Sequence, residues 1–384
     1  MAFHEETIQS GEEKFMNQLH ESRLERVMSA MKDSRLTGLV ISDPQSIWYL
    51  TGIFNEPYER LFVLYLSADG NHVLFWNKLF NIRQKMFPEV CVCDADDGIR
   101  LLAEKTAKTG RVGIDKSWAA RFLIPLMKRN SQAEYVLGSA CVDAARACKD
   151  SVEQVFMREA SIINDECMQF ATGFIREKIT EKEVARYIDR KFCELGAQGN
   201  SFAPIVSFGK NAADPHHEPD DTVIQEGDCV LIDIGCKKNY YCSDMTRTYF
   251  FKKEPCKKYA EIHDIVREAN EKAESIVRPG ILLREIDAAA RRHIAESGYG
   301  EFFTHRLGHF IGLSEHEQGD VSSASIDIAK PGMIFSIEPG IYLPGKFGVR
   351  IEDLVLVTED GCEVLNKVDK HWKVIGEQIR EQII

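Results

Sequence analysis

Paired cysteines, long apolar runs and an excess of positive charge are all missing from this chain of 384 residues. None of the eleven cysteines forms a CxxC pair, their number is odd, and Cys91-Val92-Cys93 is spaced too tightly for a zinc knuckle. That scatter argues against a disulfide framework and for a reduced, cytoplasmic protein with buried thiols. No stretch of 18 apolar residues occurs, so no transmembrane helix is expected. The polar, acidic start MAFHEETIQSGEEKF has no apolar core of the kind a signal peptide needs, and none is expected. A formal net charge of −12 argues against nucleic acid and anionic membranes as partners and leaves small or peptidic ligands.

The residues that are present are ordinary in proportion. A hydrophobic content of 44% and a charged content of 28% match a soluble globular protein. A length of 384 residues exceeds what one hydrophobic core usually serves, so two domains are expected, residues 1–142 and 143–384. In the first, Phe15, Leu19, Leu24, Val27, Met28 and Met31 recur at helical spacing over residues 14–35. Short apolar runs at 38–41, 61–66, 72–75 and 90–92 read as strands, with Asp69-Gly70 as a hairpin turn between two of them. Helical patterns near 98–108 and 117–130 alternate with strands near 111–114 and 134–138, which describes an α/β domain. In the second, residues 151–178 form a long amphipathic pattern, and Thr180 with Glu183 offers a capping box that opens the next helix. Further helices are expected near 257–277 and 283–297.

An internal echo marks the second domain. Gly227 stands six residues before Asp233 in GDCVLID, and Gly332 stands six residues before Glu338 in GMIFSIE. Each acid lies on an apolar strand, a glycine-bearing turn follows, and a returning strand brings a second acid, Asp244 or Glu352. Two such units point to a duplicated half-domain with four acids converging. Alternation puts Leu231 and Asp233 on one strand face, and Arg350, Glu352 and Leu354 on another. With the hairpins side by side, the acids meet across the sheet. Any one of these acids alone reads as an exposed strand residue, but each is embedded in an apolar or glycine-rich run. Carboxylates so close in an apolar setting repel and raise one another's pKa unless cations neutralise them. Two divalent ions bridged about 3.5–4 Å apart would do so.

Three histidines, His305, His309 and His316, lie within twelve positions and offer the nitrogen ligand that the acids lack. His309 follows Gly308, whose missing side chain is expected to let a metal or substrate approach closely. His316 precedes Glu317 and suits donation to a substrate carbonyl or tetrahedral intermediate. His216 and His217, in NAADPHHEPDD, read by themselves as surface loop residues. An oxygen-rich set with one imidazole suits Mn²⁺ best, and Co²⁺, Fe²⁺ or Zn²⁺ are compatible with it.

The segments SFAPIVSFGKNAADPHHEPDD, IDIGCKKNYYCSDMTRT, HRLGHFIGLSEHE and IEPGIYLPGKFGVRIED together resemble the pita-bread metallopeptidase family of prolidase, aminopeptidase P and methionine aminopeptidase. WYLTGIFNE (48–56) is similar to a stretch of the creatinase and prolidase N-terminal domain, so the resemblance covers nearly the whole chain. It implies an α+β fold class: an N-terminal creatinase/prolidase-like α/β domain, then a pita-bread catalytic domain with duplicated α/β halves. It also implies a ligand set for two divalent ions. Asp233 would hold one ion through both oxygens, Asp244 and Glu352 would bridge, and His309 and Glu338 would complete the other site. By the same resemblance a water activated between the ions attacks the scissile carbonyl and Glu338 shuttles its proton, with His216 and His316 steadying the tetrahedral intermediate. Arg350 is similar to an arginine that orders the acidic cluster or the substrate end, and His305 and Arg306 are further candidate substrate-binding residues. Creatinase shares the fold, works without metal and lacks this acid set, whereas all five ligands are present here. A homodimer is implied as well.

The expected activity is therefore hydrolysis of the bond before proline by a dinuclear metal-dependent peptidase, foremost in dipeptides, as in prolidase. The alternatives are a short Xaa-Pro aminopeptidase acting on longer peptides, or a non-peptidase hydrolase or lyase acting on a small molecule. A catalytically dead binding module would have lost ligands or gained basic patches, and neither is seen. An Xaa-Pro dipeptidase needs a cation for the substrate's free carboxylate. Many prolidases carry an arginine four residues after the second histidine, but here the run is His316-Glu317-Gln318-Gly319-Asp320. Arg306 is the candidate to supply that charge instead.

Overall fold

The computed structural model describes residues 2–80, 82 and 87–376. Its chain divides into two compact units, Met1–Arg146 and Ala147–Ile384. The expected boundary at 142/143 would cut through a helix, Ala140–Ala147, and the division lies instead at that helix's end.

The first unit runs α1 (Ala2–Asp33), β1 (Gly38–Ile41), α2 (Pro44–Thr51), β2 (Val63–Ser67), β3 (Val73–Asn77), β4 (Glu89–Val92), α3 (Gly98–Lys105), β5 (Gly110–Ile114), α4 (Ala120–Arg129), β6 (Ala133–Leu137) and α5 (Ala140–Ala147). The strands form one sheet in the order β4-β3-β2-β1-β5-β6, antiparallel around β2 and parallel elsewhere. The expected hairpin joins β2 to β3, with Gly70 at φ +86°, a conformation a side chain resists. On α1 the buried positions His20, Arg23, Val27 and Met31 follow helical spacing, and Arg23 lies 4.5 Å over the Tyr49 ring. Phe15 lies outside the residues whose side chains are described. Helix α2 has local causes: Asp43 accepts from the amides of Gln45 and Ser46, Pro44 occupies the first turn, and Gly52 at φ +69° ends it.

The second unit opens with two capped helices, α6 (Ser151–Phe174) and α7 (Glu181–Glu194). Both carry capping boxes, Asp150 with Glu153 and the expected Thr180 with Glu183. The strands that follow are β7 (Ile205–Phe208), β8 (Cys229–Ile234), β9 (Lys237–Lys238), β10 (Tyr241–Cys242) and β11 (Met245–Phe251). A second helix pair, α8 (Lys257–Ser275) and α9 (Leu283–Glu296), leads to β12 (Gly308–Phe310), β13 (Glu317–Val321), β14 (Ile334–Ile337), β15 (Gly340–Leu343), β16 (Phe347–Arg350), β17 (Asp353–Val357), β18 (Cys362–Val364) and β19 (Val374–Ile375). The duplication is visible as two helix pairs, each accompanying a mainly antiparallel sheet. One sheet has the order β19-β11-β8-β7 and the other β13-β12-β14-β17-β18.

Alternation along these strands sorts apolar from functional side chains. On β8, Val230, Ile232 and Ile234 join a core with α6 and α7, while Cys229 and Leu231 join the core under α8 and α9. Asp233 shares the Leu231 face, as alternation requires. Farther along the chain, Phe335 and Ile337 on β14, Val349 on β16 and Ile351 just after it go to the core, which turns Ser336, Glu338, Arg350 and Glu352 the other way. One expectation is corrected. The two hairpins are not side by side in one sheet, because β8 and β14 belong to different sheets. The acids meet instead at strand ends, where β8 and β14 finish and β11 and β17 begin.

Candidate metal centre

Each acid owes its position to the strand it ends or precedes. Asp233 is the penultimate residue of β8 and faces Thr246 across the β8/β11 ladder. Asp244 directly precedes β11, Glu338 follows β14, and Glu352 fills the step between β16 and β17. His309 lies at the centre of β12, and its amide donates to Ser336 Oγ at 3.0 Å. One donor atom each from Asp244, His309 and Glu352 falls within 4.8 Å of the others. His309 Nε2 stands 3.6 Å from Asp244 Oδ2 and 3.6 Å from Glu338 Oε1. Both separations are too long for hydrogen bonds and suit donors arranged around a cation. The structure thus brings all five expected residues to one place.

Asp233 enters through a hydrogen-bonded chain. Arg350 Nη2 donates to Asp233 Oδ2 at 2.6 Å, Arg350 Nε donates to Thr246 Oγ1 at 3.0 Å, and Thr246 Oγ1 donates to Glu352 Oε2 at 2.8 Å. Two buried carboxylate oxygens, Asp233 Oδ1 and Asp244 Oδ1, have no hydrogen-bond partner among the described residues. A buried unpartnered carboxylate oxygen is costly, and a bound cation would relieve that cost. The donor set therefore fits a divalent metal.

The electrostatics agree with the geometry. Burial, followed by the neighbouring acids, holds Asp244 and Glu352 well above the usual carboxylate range. Burial also pushes Glu338 up to about 7, with Arg350 pulling the other way. His309 is pushed down to about 3 by burial and by His316, which keeps its imidazole neutral and able to coordinate. Burial would lower Arg350, but Tyr342, Asp233, Glu352 and Glu338 around it hold it well above the ordinary value.

A cavity of about 190 Å³ opens on these groups and is also lined by Phe202, Pro215, His216, His305, Arg306, Glu315 and His316. His216 and His316 are both exposed and face it, and the His316 ring packs edge-on against His309 at 4.1 Å. His305 is pushed down to about 4 by burial and Arg350, and both its nitrogens are engaged, with the Arg306 carbonyl and the Tyr342 hydroxyl. Arg350 is 3% exposed and also donates to Tyr342 and the Pro215 carbonyl, so its guanidinium is committed within the cluster. Arg306 pairs with Asp320 at the rim.

Gly308 calls for a correction. A Cβ there would stand 1.8 Å from the Ser336 carbonyl oxygen, so its bareness serves the packing of β12 on β14 rather than an approach by metal or substrate. Two residues not foreseen from sequence complete the frame. Tyr342 links His305 to Arg350, and its only sequence signal is a short, wholly buried apolar strand. Buried Glu181, the first residue of α7, accepts from Phe208 N, Asn211 Nδ2, His217 Nε2 and Asp220 N, which pins the loop bearing His216. Glu181, His217 and Asp220 also form a compact donor group, but the Glu181 oxygens are already filled by these donors.

Known proteins share both parts of this chain. Residues 155–359 match the model of metallopeptidase family M24, and residues 23–148 match the creatinase/prolidase N-terminal domain. A protein of Staphylococcus aureus (strain MSSA476), described as an uncharacterized peptidase, is 37% identical over 355 residues, 91% of this chain and 100% of the relative. Among solved structures, a dipeptidase from Pyrococcus horikoshii OT3 is 35% identical with a TM-score of 0.88, covering 92% of this chain and 100% of that one. An Xaa-Pro dipeptidase from Bacillus anthracis is 30% identical with a TM-score of 0.85, covering 93% and 100%. With a cation-suited acid cluster and matches that span both units, the chain belongs to metallopeptidase family M24 and is a metal-dependent peptidase with a creatinase/prolidase-type N-terminal domain.

Proposed function

We propose that the protein hydrolyses the peptide bond before proline, foremost in Xaa-Pro dipeptides, with two divalent ions held by Asp233, Asp244, His309, Glu338 and Glu352. The observation that carries this is the convergence of these five groups with two buried carboxylate oxygens left unpartnered. Divalent ions bound there supply Lewis acidity, polarising the scissile carbonyl and acidifying the attacking water. Mn²⁺ suits the oxygen-rich donors first. Glu338, with part of its side chain facing the cavity, is placed to take the proton of the attacking water and pass it on. His316 and His216 face the same space and donate where negative charge develops on the substrate oxygen. Arg350 and His305, fully engaged by their neighbours, position the acids and the cavity wall rather than grip the substrate.

The small cavity supports short substrates, and the Xaa-Pro dipeptidase of B. anthracis supports proline. A short Xaa-Pro aminopeptidase is the second reading, because the rim arginine is already paired. The reduced thiols support a cytoplasmic setting, and the resemblance to prolidase supports a homodimer. With Mn²⁺ supplied, Ala-Pro is expected to turn over faster than Ala-Pro-Ala, and the reverse order selects the aminopeptidase. Stoichiometric metal without cleavage of any Xaa-Pro peptide would overturn both and leave a small-molecule hydrolase or lyase.

A further inference from the structure

Resting on the peptidase reading above, we infer that Asp320 is a specificity-determining residue: it neutralises Arg306, so the site does not require a free carboxylate on the leaving side of its substrate. Arg306 lines the cavity with its side chain 37% exposed, and its Nη1 is paired with Asp320 Oδ1. The other arginine at the cavity, Arg350, is buried and bound to Asp233. A substrate carboxylate arriving at this rim meets an ion pair rather than an open guanidinium. It must displace Asp320 or share its partner, so little affinity is gained.

The backbone sets this arrangement on purpose-built geometry. His309 faces Asp320 across the β12/β13 ladder, while the next residue, Phe310, faces Glu317. Two extra residues of β13, Gln318 and Gly319, are thus taken up in a bulge. Gly319 has φ +129°, and a Cβ there would stand 2.4 Å from the Phe310 ring. The bulge re-aims β13 so that Asp320 returns beside the metal-site histidine and reaches Arg306. Below it, Glu317 is held by the buried Lys149 at 3.0 Å, which anchors the strand.

Substrate choice follows. The enzyme should accept Xaa-Pro units whose proline carboxyl is amidated about as well as the free dipeptide, while the small cavity still disfavours longer chains. Steady-state kinetics on Mn²⁺-loaded protein with Ala-Pro and Ala-Pro amide test this. In the wild type the two kcat/KM values are expected within about threefold, and in Asp320→Asn the free acid should gain about tenfold through KM with kcat little changed. Adding Arg306→Ala to Asp320→Asn should abolish the gain. A wild type that prefers the free acid by about a hundredfold, or an acid-to-amide ratio unmoved in Asp320→Asn, overturns the inference while leaving the peptidase reading intact. Failure of the wild type to cleave either compound overturns the peptidase reading and this inference with it. Circular dichroism of each variant separates these results from misfolding.

Discussion

Asp244, Glu338 and Glu352 are held with raised pKa values by burial and by one another, which makes the metal-free site pH-sensitive. A carboxyl whose folded pKa exceeds its unfolded value stabilises the fold fully below the unfolded pKa, about 4.3 for glutamate, and loses that contribution as pH rises through the folded value. For Glu338 the folded value is about 7. In EDTA the protein should therefore melt at a lower temperature at pH 8 than at pH 6, and with Mn²⁺ the order should reverse, since the ion binds deprotonated donors. Differential scanning calorimetry at the two pH values checks this, and an unchanged order on adding Mn²⁺ counts against a metal centre. In Asp244→Asn, the melting temperature in EDTA at pH 8 should rise, by roughly 2–4 °C if about 1 kcal/mol of repulsion is relieved. The same variant should lose peptidase activity and the gain from Mn²⁺. Each of these acids is visible in the sequence as a polar residue within an apolar or glycine-rich run. Tyr342 and Glu181 are not, because their roles come from partners distant in the chain.

Helices α6 to α9 are legible in the sequence as helical patterns, and α7 also through its capping box, since those signals are local. Sheet membership is not. Two similar hairpin motifs could be read, but which sheet each joins depends on long-range pairing, and the acids meet at strand ends between two sheets. Gly308 is legible as a special position but its purpose is not, because the Ser336 carbonyl that excludes a side chain lies on another strand. Gly308→Ala should push β12 from β14, costing about 3 kcal/mol or more through backbone overpacking, and should displace His309. Urea unfolding and Mn²⁺ titration measure the two effects. Stability and metal affinity both at wild-type levels would show that β12 can shift without loss.

Across the whole chain, both units separate into sheets with apolar faces covered by helices, and no described helix is long and apolar enough to cross a membrane. A buried ion pair ties distant parts of the second unit together: Lys149, just before α6, meets Glu317 on β13 at 3.0 Å with side chains 1% and 6% exposed. Lys149→Met would leave Glu317 buried without its cation, an arrangement that typically costs about 3–5 kcal/mol. Thermal unfolding should show the loss, and a Lys149→Met, Glu317→Gln double variant should recover part of it. Neither residue drew notice in the sequence as one of a pair, since 168 positions separate them.

By itself the amino-acid order determined the donor types, the helices, the strand faces and the family, because these depend on side-chain chemistry and on spacing along a local backbone. Tertiary structure decided the rest: which sheet each acid ends, that Arg350 is spent on Asp233 and Thr246, and that Asp320 answers Arg306 across a bulge. The division has a physical cause. Hydrogen bonds and ion pairs are short-ranged, so their partners are set by where the folded chain returns rather than by where it has just been.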